Sequence, residues 1–215
     1  MSTYSQQEDV WSGLFGQNYT NRSILTPESL DDLFVNIYGT SRKEMNETFL
    51  ADLDRNARIL EVGPNMGSQL AHLQSMGFTQ LYGLELQHYA VEMAKKYTEN
   101  INIIQGSAFD IPFKDGFFDL VFTSGVLIHI SPQDLPKVMS EVIRCSKKYI
   151  WGLEYYSPQI EEINYRGHEQ LLWKADYAQL YQNRDPQLSL LKQEFYPYLR
   201  DQNRDAMFLL RKAES

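Results

Sequence analysis

Apolar positions recur along this chain at two alternating spacings, and the spacings predict its elements. Short extended runs read as strands at Ile59 to Val62, Gln80 to Glu85, Ile101 to Ile104, Phe118 to Thr123 and Tyr149 to Leu153. Between them, helical spacing turns Leu70 and Leu73 inward, then Val91 and Ala94 within Tyr89 to Tyr97. The same spacing buries Leu135, Val138, Met139, Val142 and Ile143 within Pro132 to Cys145. Strand and helix in alternation predict an α/β domain with a parallel sheet. Ahead of the first strand, Thr26 and Pro27 start a helix that Leu30, Leu33, Phe34 and Ile37 continue up to Gly39, and a second helix covers Ser41 to Leu53. Two runs, Leu188 to Lys192 and Asp205 to Arg211, close the chain as strands.

The exit from the first strand carries the candidate chemistry. Gly63-Pro64-Asn65-Met66-Gly67 turns directly into a helix; glycines admit positive φ and a close ligand, and the helix start presents unpaired N–H groups. Glu85 ends the second strand, where a carboxylate can accept hydrogen bonds from two ribose hydroxyls. A nucleoside cofactor is therefore expected. A dinucleotide fingerprint reads GxGxxG, whereas the residues from Gly63 read G-P-N-M-G-S. This weakens a nicotinamide (NAD)-dependent oxidoreductase, which stays as an alternative.

Composition narrows the partner class. The 215 residues are 43% hydrophobic, enough for one substantial core with an appendage, and their formal charge of −8 opposes nonspecific attraction to nucleic acid or anionic membrane. A small-molecule substrate is expected, with no nucleic acid and no membrane partner. No run approaches the roughly eighteen apolar residues of a membrane span. MSTYSQQEDVW opens with neither a basic nor an apolar segment, so a soluble, untargeted, cytoplasmic protein is expected. Cys145 is the single cysteine, and His72, His88, His129 and His168 show no HxH, HExxH or CxxC spacing, so no metal site is expected.

Glu61, two residues before Gly63, is the usual acid of the S-adenosylmethionine (SAM) turn in class I methyltransferases, which this segment resembles. Asn65 stands where that family has glycine, and asparagine tolerates the left-handed region. The acid ending strand two, the Ile111-Pro112-Phe113 loop after strand three and the FDLVF strand extend the resemblance from Arg58 to the end. WSGLFGQNYTNR, VLIHISP, LEYYSP and YRGH together resemble a narrower methyltransferase family associated with pseudaminic acid biosynthesis, over nearly the whole chain.

The resemblance implies an α/β, Rossmann-like class I methyltransferase fold: a seven-stranded, mostly parallel sheet with an antiparallel C-terminal strand and a helical N-terminal cap. Residues 1–53 are then the cap and 54–215 the core, with a substrate-facing insertion at about 155–185. It implies SAM as cofactor, held by Tyr19, Arg22, Glu61, Gly63, Asn65, Gly67, Glu85, Leu86, Ser107, Ala108, Phe109, Thr123 and Gly125. In that fold the residues after strand three read the adenine. Ser107 stands where relatives carry aspartate, and Asp110 is a substitute acid. Phe109 or Ile111 would sandwich the ring, although these two and Phe113 equally read as loop packing.

Methyl transfer from a sulfonium asks the protein mainly to hold nucleophile and methyl in line in a dry site. A hydroxyl acceptor must also lose a proton. His129, just beyond strand four, has an unperturbed pKa suited to that role, and Glu154, ending strand five, is the second candidate. Tyr155, Tyr156, Arg166 and His168 are the expected substrate contacts, because aromatic walls with basic groups suit a sugar or nucleotide. Leu171, Leu172, Ala175 and Ala178 at helical spacing argue instead that Trp173 and Tyr177 are core or surface. The cluster of Trp11, Gly13, Phe15, Gly16, Tyr19 and Arg22 reads both as a loop pinned by its aromatics and as a cover that brings Tyr19 and Arg22 over the site. The expected activity is methylation of a sugar or nucleotide-linked sugar of surface-glycan biosynthesis, on oxygen rather than nitrogen. A noncatalytic SAM-binding partner is the remaining alternative.

Overall fold

The computed structural model describes residues 5–23 and 25–213. Helix α1 (Gln6–Ser12) begins at a capping box in which the Ser5 side chain accepts from Glu8 N–H and the Glu8 carboxylate accepts from Ser5 N–H. Gly13 separates it from α2 (Leu14–Arg22). The segment with the aromatic and glycine cluster is thus two short helices, not a loop, and the Ser5-x-x-Glu8 spacing was the signal for the first. Thr26 and Pro27 start α3 (Pro27–Tyr38), which ends on the left-handed Gly39, and a second capping box, Ser41 with Glu44, starts α4 (Arg42–Leu50).

The alternation that follows is β1 (Arg58–Val62), α5 (Ser68–Ser75), β2 (Gln80–Glu85), α6 (His88–Tyr97), β3 (Asn102–Gln105), β4 (Phe118–Ser124), α7 (Leu135–Cys145) and β5 (Ser146–Tyr155). A two-residue pair, β6 (Glu161–Glu162) with β7 (Trp173–Lys174), precedes α8 (Tyr177–Arg184), β8 (Ser189–Pro197) and β9 (Arg204–Arg211). The main sheet has seven strands in the order β3-β2-β1-β4-β5-β9-β8, and β9 runs against both of its neighbours. This is the mostly parallel sheet with one reversed strand that the resemblance implies; a dehydrogenase domain would continue with parallel units instead. β1 lies between β2 and β4, with Leu60 facing Tyr82 on one side and Val121 on the other.

Alternate residues of each strand feed opposite layers. Leu60, Val62, Val121, Ile150 and Phe208 pack with α7 and α8, while Ile59, Leu120, Phe122, Trp151 and Met207 pack with α3, α4 and α5. Of the helical N-terminal segment, α3 and α4 are therefore part of a core layer through Leu30, Phe34, Met45, Phe49 and Leu50, and only α1 and α2 lie outside it. Leu171 to Ala175 are extended, not helical: Trp173 pairs with Glu162, and α8 starts only after Asp176, whose side chain accepts from Gln179 N–H. Trp173, Tyr177 and Tyr181 are all buried, so the aromatic content here is core. No helix among the described residues is long and apolar enough to cross a membrane.

β5 and β9 are neighbours in the sheet with Gly152 opposite Phe208; a Cβ built at Gly152 would lie 2.4 Å from Phe208 Cζ, inside van der Waals contact. Gly152→Ala should cost about 1–3 kcal/mol by overpacking, read as a lower urea midpoint at unchanged m-value; an unshifted midpoint would show that the ring swings aside freely.

Candidate active site

A cavity of about 680 Å³ opens over the carboxyl ends of the parallel strands, roofed by α1 and α2. Its floor is the turn after β1. Gly63 sits at φ 75°, and a Cβ there would come within 2.7 Å of Val126 Cγ2, so both conformation and space require glycine. Asn65, at φ 53°, replaces the family's glycine and uses its side chain: Nδ2 donates to Thr20 Oγ1 at 3.0 Å, and Oδ1 accepts from Met66 N–H at 2.9 Å. The departure thus ties the turn to α2. Gly67 starts α5 and Thr123 is buried within β4; neither lines the cavity.

Three carboxylates are built into this end of the sheet. Glu85 takes Asn65 N–H on Oε2 and Gln87 N–H on Oε1, each at 2.8 Å, leaving a lone pair on each oxygen for the cavity. Burial pushes its pKa upward, against the backbone donors. Glu61 is buried with Oε2 lacking any partner, and burial raises it to about 8 in spite of the Arg42 guanidinium. Arg42 itself is wholly buried between the faces of Phe34 and Trp151, at 5.1 and 5.2 Å. Asp205 accepts the hydroxyls of Tyr38 and Tyr198 on the cavity wall.

His129 lines the cavity from a short 3-10 turn, Leu127–His129, with its ring 4.5 Å from that of Trp11 and 5.3 Å from that of Tyr165. Its Nδ1 lies 2.7 Å from the Leu171 carbonyl oxygen, which can only accept, so Nδ1 carries the proton and Nε2 holds the lone pair. Burial pushes its pKa down to about 4, so the ring is neutral at physiological pH and a weaker base than the unperturbed value suggests. Glu154 has a different place from the one expected. Its buried carboxylate accepts from the backbone N–H groups of Val126 at 3.1 Å, Leu127 at 3.3 Å and Ile128 at 3.4 Å, and it lies behind the turn, outside the cavity lining. Burial raises it to about 7. These bonds tie it to the backbone of the His129 turn.

The remaining expected residues divide by location. Tyr19, Arg22, Leu86, Ser107, Ala108, Phe109, Gly125 and Tyr155 line the cavity, while Ile111 is buried in the core cluster beneath. Arg22 is exposed on the last turn of α2 and makes no ion pair among the described residues. Tyr156 points elsewhere, its ring against Phe195 and under the Arg204 guanidinium, in a second hollow. Arg166 and His168 are exposed on the turn closed between Tyr165 and His168, and neither reaches the cavity, although Tyr165 does. Asp110 is exposed and also absent from it. Sequence reasoning missed Glu8, Gln87, Tyr38, Tyr198 and Asp205 as lining residues. Among the described residues, no group of three or more potential ligands is placed to hold a metal ion.

Residues 60–179 match the family model described as a methyltransferase domain. A methyltransferase of Synechocystis sp. is 33% identical over 90 residues, 42% of each chain, and norajmaline N-methyltransferase of Rauvolfia serpentina is 30% identical over 92 residues, 40% of this chain and 31% of that one. The matched segment is thus less than half the length of either relative. The protein solved in complex with a methyltransferase activator of Haloferax volcanii superposes with a TM-score of 0.70 over 98% of this chain and 99% of that one, at 15% identity. The Burkholderia thailandensis 1,6-didemethyltoxoflavin N1-methyltransferase, solved with S-adenosylhomocysteine, gives 0.64 over 80% and 76% at 13% identity. These two likenesses concern the fold. The family model covers more than half of the sequence, from inside β1 to inside α8, and the chain belongs to the methyltransferase-domain family.

Proposed function

We propose that this protein transfers a methyl group from SAM to a small-molecule acceptor. The observation that carries the reading is the Glu85 carboxylate, pinned by a backbone donor on each oxygen yet open to the cavity beside a glycine turn. That is the arrangement two vicinal ribose hydroxyls require. Three further features fit the cofactor. Glu61 Oε2, buried without a partner, suits an ammonium group, and the space where a Cβ of Gly125 would stand is open for 4 Å around. Arg22, exposed at the mouth, suits a carboxylate. Bound SAM would supply a methyl group on an electrophilic sulfonium.

The chain's own residues then orient, dry and deprotonate. Trp11 and Tyr19, packed edge to face at 5.4 Å, form part of the roof, which with cofactor and acceptor bound would shield the reacting centres from water. Neutral His129 offers Nε2 to an acceptor proton, held in that tautomer by Leu171 and on its turn by Glu154. The finer reading, a sugar or nucleotide-linked sugar methylated on oxygen for surface-glycan biosynthesis, is supported by the resemblance of the quoted motifs. A second reading, methylation of a basic amine, is favoured by Asp205, a buried carboxylate among Tyr38, Tyr155 and Tyr198 with Phe34 on the same wall.

Glu85→Ala should weaken SAM binding by about 1–3 kcal/mol in calorimetry, and an unchanged dissociation constant would remove Glu85 from the site. His129→Ala should lower turnover about 10²-fold with SAM affinity kept. In the wild type the base form of His129 persists to about pH 4, so His129 should contribute no rate limb between pH 8 and pH 5.5, where a free imidazole would already titrate; a limb near pH 6.5 that vanishes in the variant would contradict the buried, neutral ring. Labelled SAM offered to nucleotide sugars and to small basic amines tests the acceptor. Transfer to sugars alone supports the first reading, transfer to amines alone the second, and SAM binding without transfer to any acceptor would point to the noncatalytic partner.

A further inference from the structure

The corner of the cavity at the end of β3 is where a purine attached to a ribose at Glu85 would extend, because Gly106 N–H donates to the Glu85 carbonyl at 2.9 Å and leads directly into Ser107, Ala108 and Phe109. The side chains expected to read that base are not available there. Asp110 is exposed outside the cavity. Ser107 is already committed: its oxygen accepts from Phe109 N–H at 3.1 Å, and its hydroxyl hydrogen goes to a carboxylate from the far end of the sequence, Glu8 of α1.

Glu8 is 8% exposed and lines this corner. One of its oxygens accepts from Ser107 and the other from Ser5 N–H at 2.9 Å, so two of roughly four lone-pair sites remain for a ligand. Its position is set from several sides. Gln7 Nε2 donates to the Gln170 carbonyl at 3.1 Å, Gln87 Nε2 donates to the Trp11 carbonyl at 3.0 Å, and a Cβ at Gly16 would strike the Trp11 carbonyl oxygen at 1.9 Å. A carboxylate fixed in this way is an acceptor only. It matches an exocyclic amino group and opposes a carbonyl oxygen at the same place on the ring.

We propose that Glu8 reads the 6-amino group of the cofactor's adenine, a specificity-determining contact supplied by the roof helix and not by the loop after β3. This rests on the SAM reading above. The test compares equilibrium binding of S-adenosylhomocysteine with that of its deaminated analogue, S-inosylhomocysteine, by calorimetry. Wild type should prefer the adenine compound about tenfold or more. Glu8→Gln keeps an acceptor for Ser107 and can present N–H to the 6-oxo group, so it should narrow or reverse the preference. Asp110→Asn should leave the ratio unchanged. Equal wild-type affinities, a ratio unmoved by Glu8→Gln, or a ratio moved by Asp110→Asn would each overturn the assignment while leaving the cofactor reading intact. Failure of the wild type to bind either compound would overturn the cofactor reading itself, and Glu8 with it.

Discussion

A carboxylate at the end of β2 has been taken out of water, and the hydrogen bonds that make this tolerable organise the ligand-binding end of the molecule. Glu85 receives the backbone N–H of Asn65 and of Gln87, so the turn after β1 and the entry to α6 are both held to it. The side chains of those two donors carry the constraint outward. Asn65 reaches Thr20, and Gln87 Oε1 accepts from Thr20 while its Nε2 holds the carbonyls of Trp11 and Gly13. One buried acid thereby fixes the floor of the cavity directly and its roof at one remove. Truncation of its side chain would loosen both, because the two donors would lose their acceptor together.

This arrangement explains why the sheet was readable in the amino-acid sequence and the roof was not. β1, β4 and the later half of β5 are buried on both faces, and β2 begins and ends at the residues that periodicity marks. The positions of Leu70, Leu73, Val91 and Ala94 follow from helical spacing alone, and all four are buried. α1 and α2 have no such stripe. Polar bonds to Gln87, Asn65 and Ser107 hold them, formed between residues 45 to 99 positions apart, and no local pattern records those contacts. Leu171 to Ala175 mislead for the opposite reason. Their spacing fits a helix, but pairing with Glu161 and Glu162 draws the segment into an extended path.

The site was legible where its chemistry is local. Gly63, Asn65 and Glu85 sit at strand ends that the pattern already locates, and the cavity forms over them. It was illegible where burial decides the role. Glu154 and Asp205 are both acids at the ends of neighbouring strands, β5 and β9, and a sequence cannot say which one faces inward to the cavity. The fold gives Glu154 to the backbone of the 127–129 turn and Asp205 to two tyrosine hydroxyls on the open wall. Tyr155 and Tyr156 separate in the same way, because adjacent residues at the end of a strand point to opposite faces.

The same burial limits what acid–base chemistry the site can perform. An imidazole held near a pKa of 4 is never charged at neutral pH, yet it is also a poor sink for a hydroxyl proton, so proton removal by His129 contributes only as bond formation to the acceptor proceeds. Glu61 and Glu154, raised to about 8 and about 7, are no stronger as permanent anions unless a cation arrives to hold them ionised. What the protein can offer at full strength is geometry: a turn that admits close approach, a fixed tautomer, and a roof that removes water. For a displacement at a methyl carbon, in which charge moves from sulfur to the nucleophile without an oxyanion to be stabilised, that is the contribution with the largest leverage. The roof helices and the Glu85 clamp accordingly matter to the rate as much as any single base, because they determine whether the two reacting centres meet dry and in line.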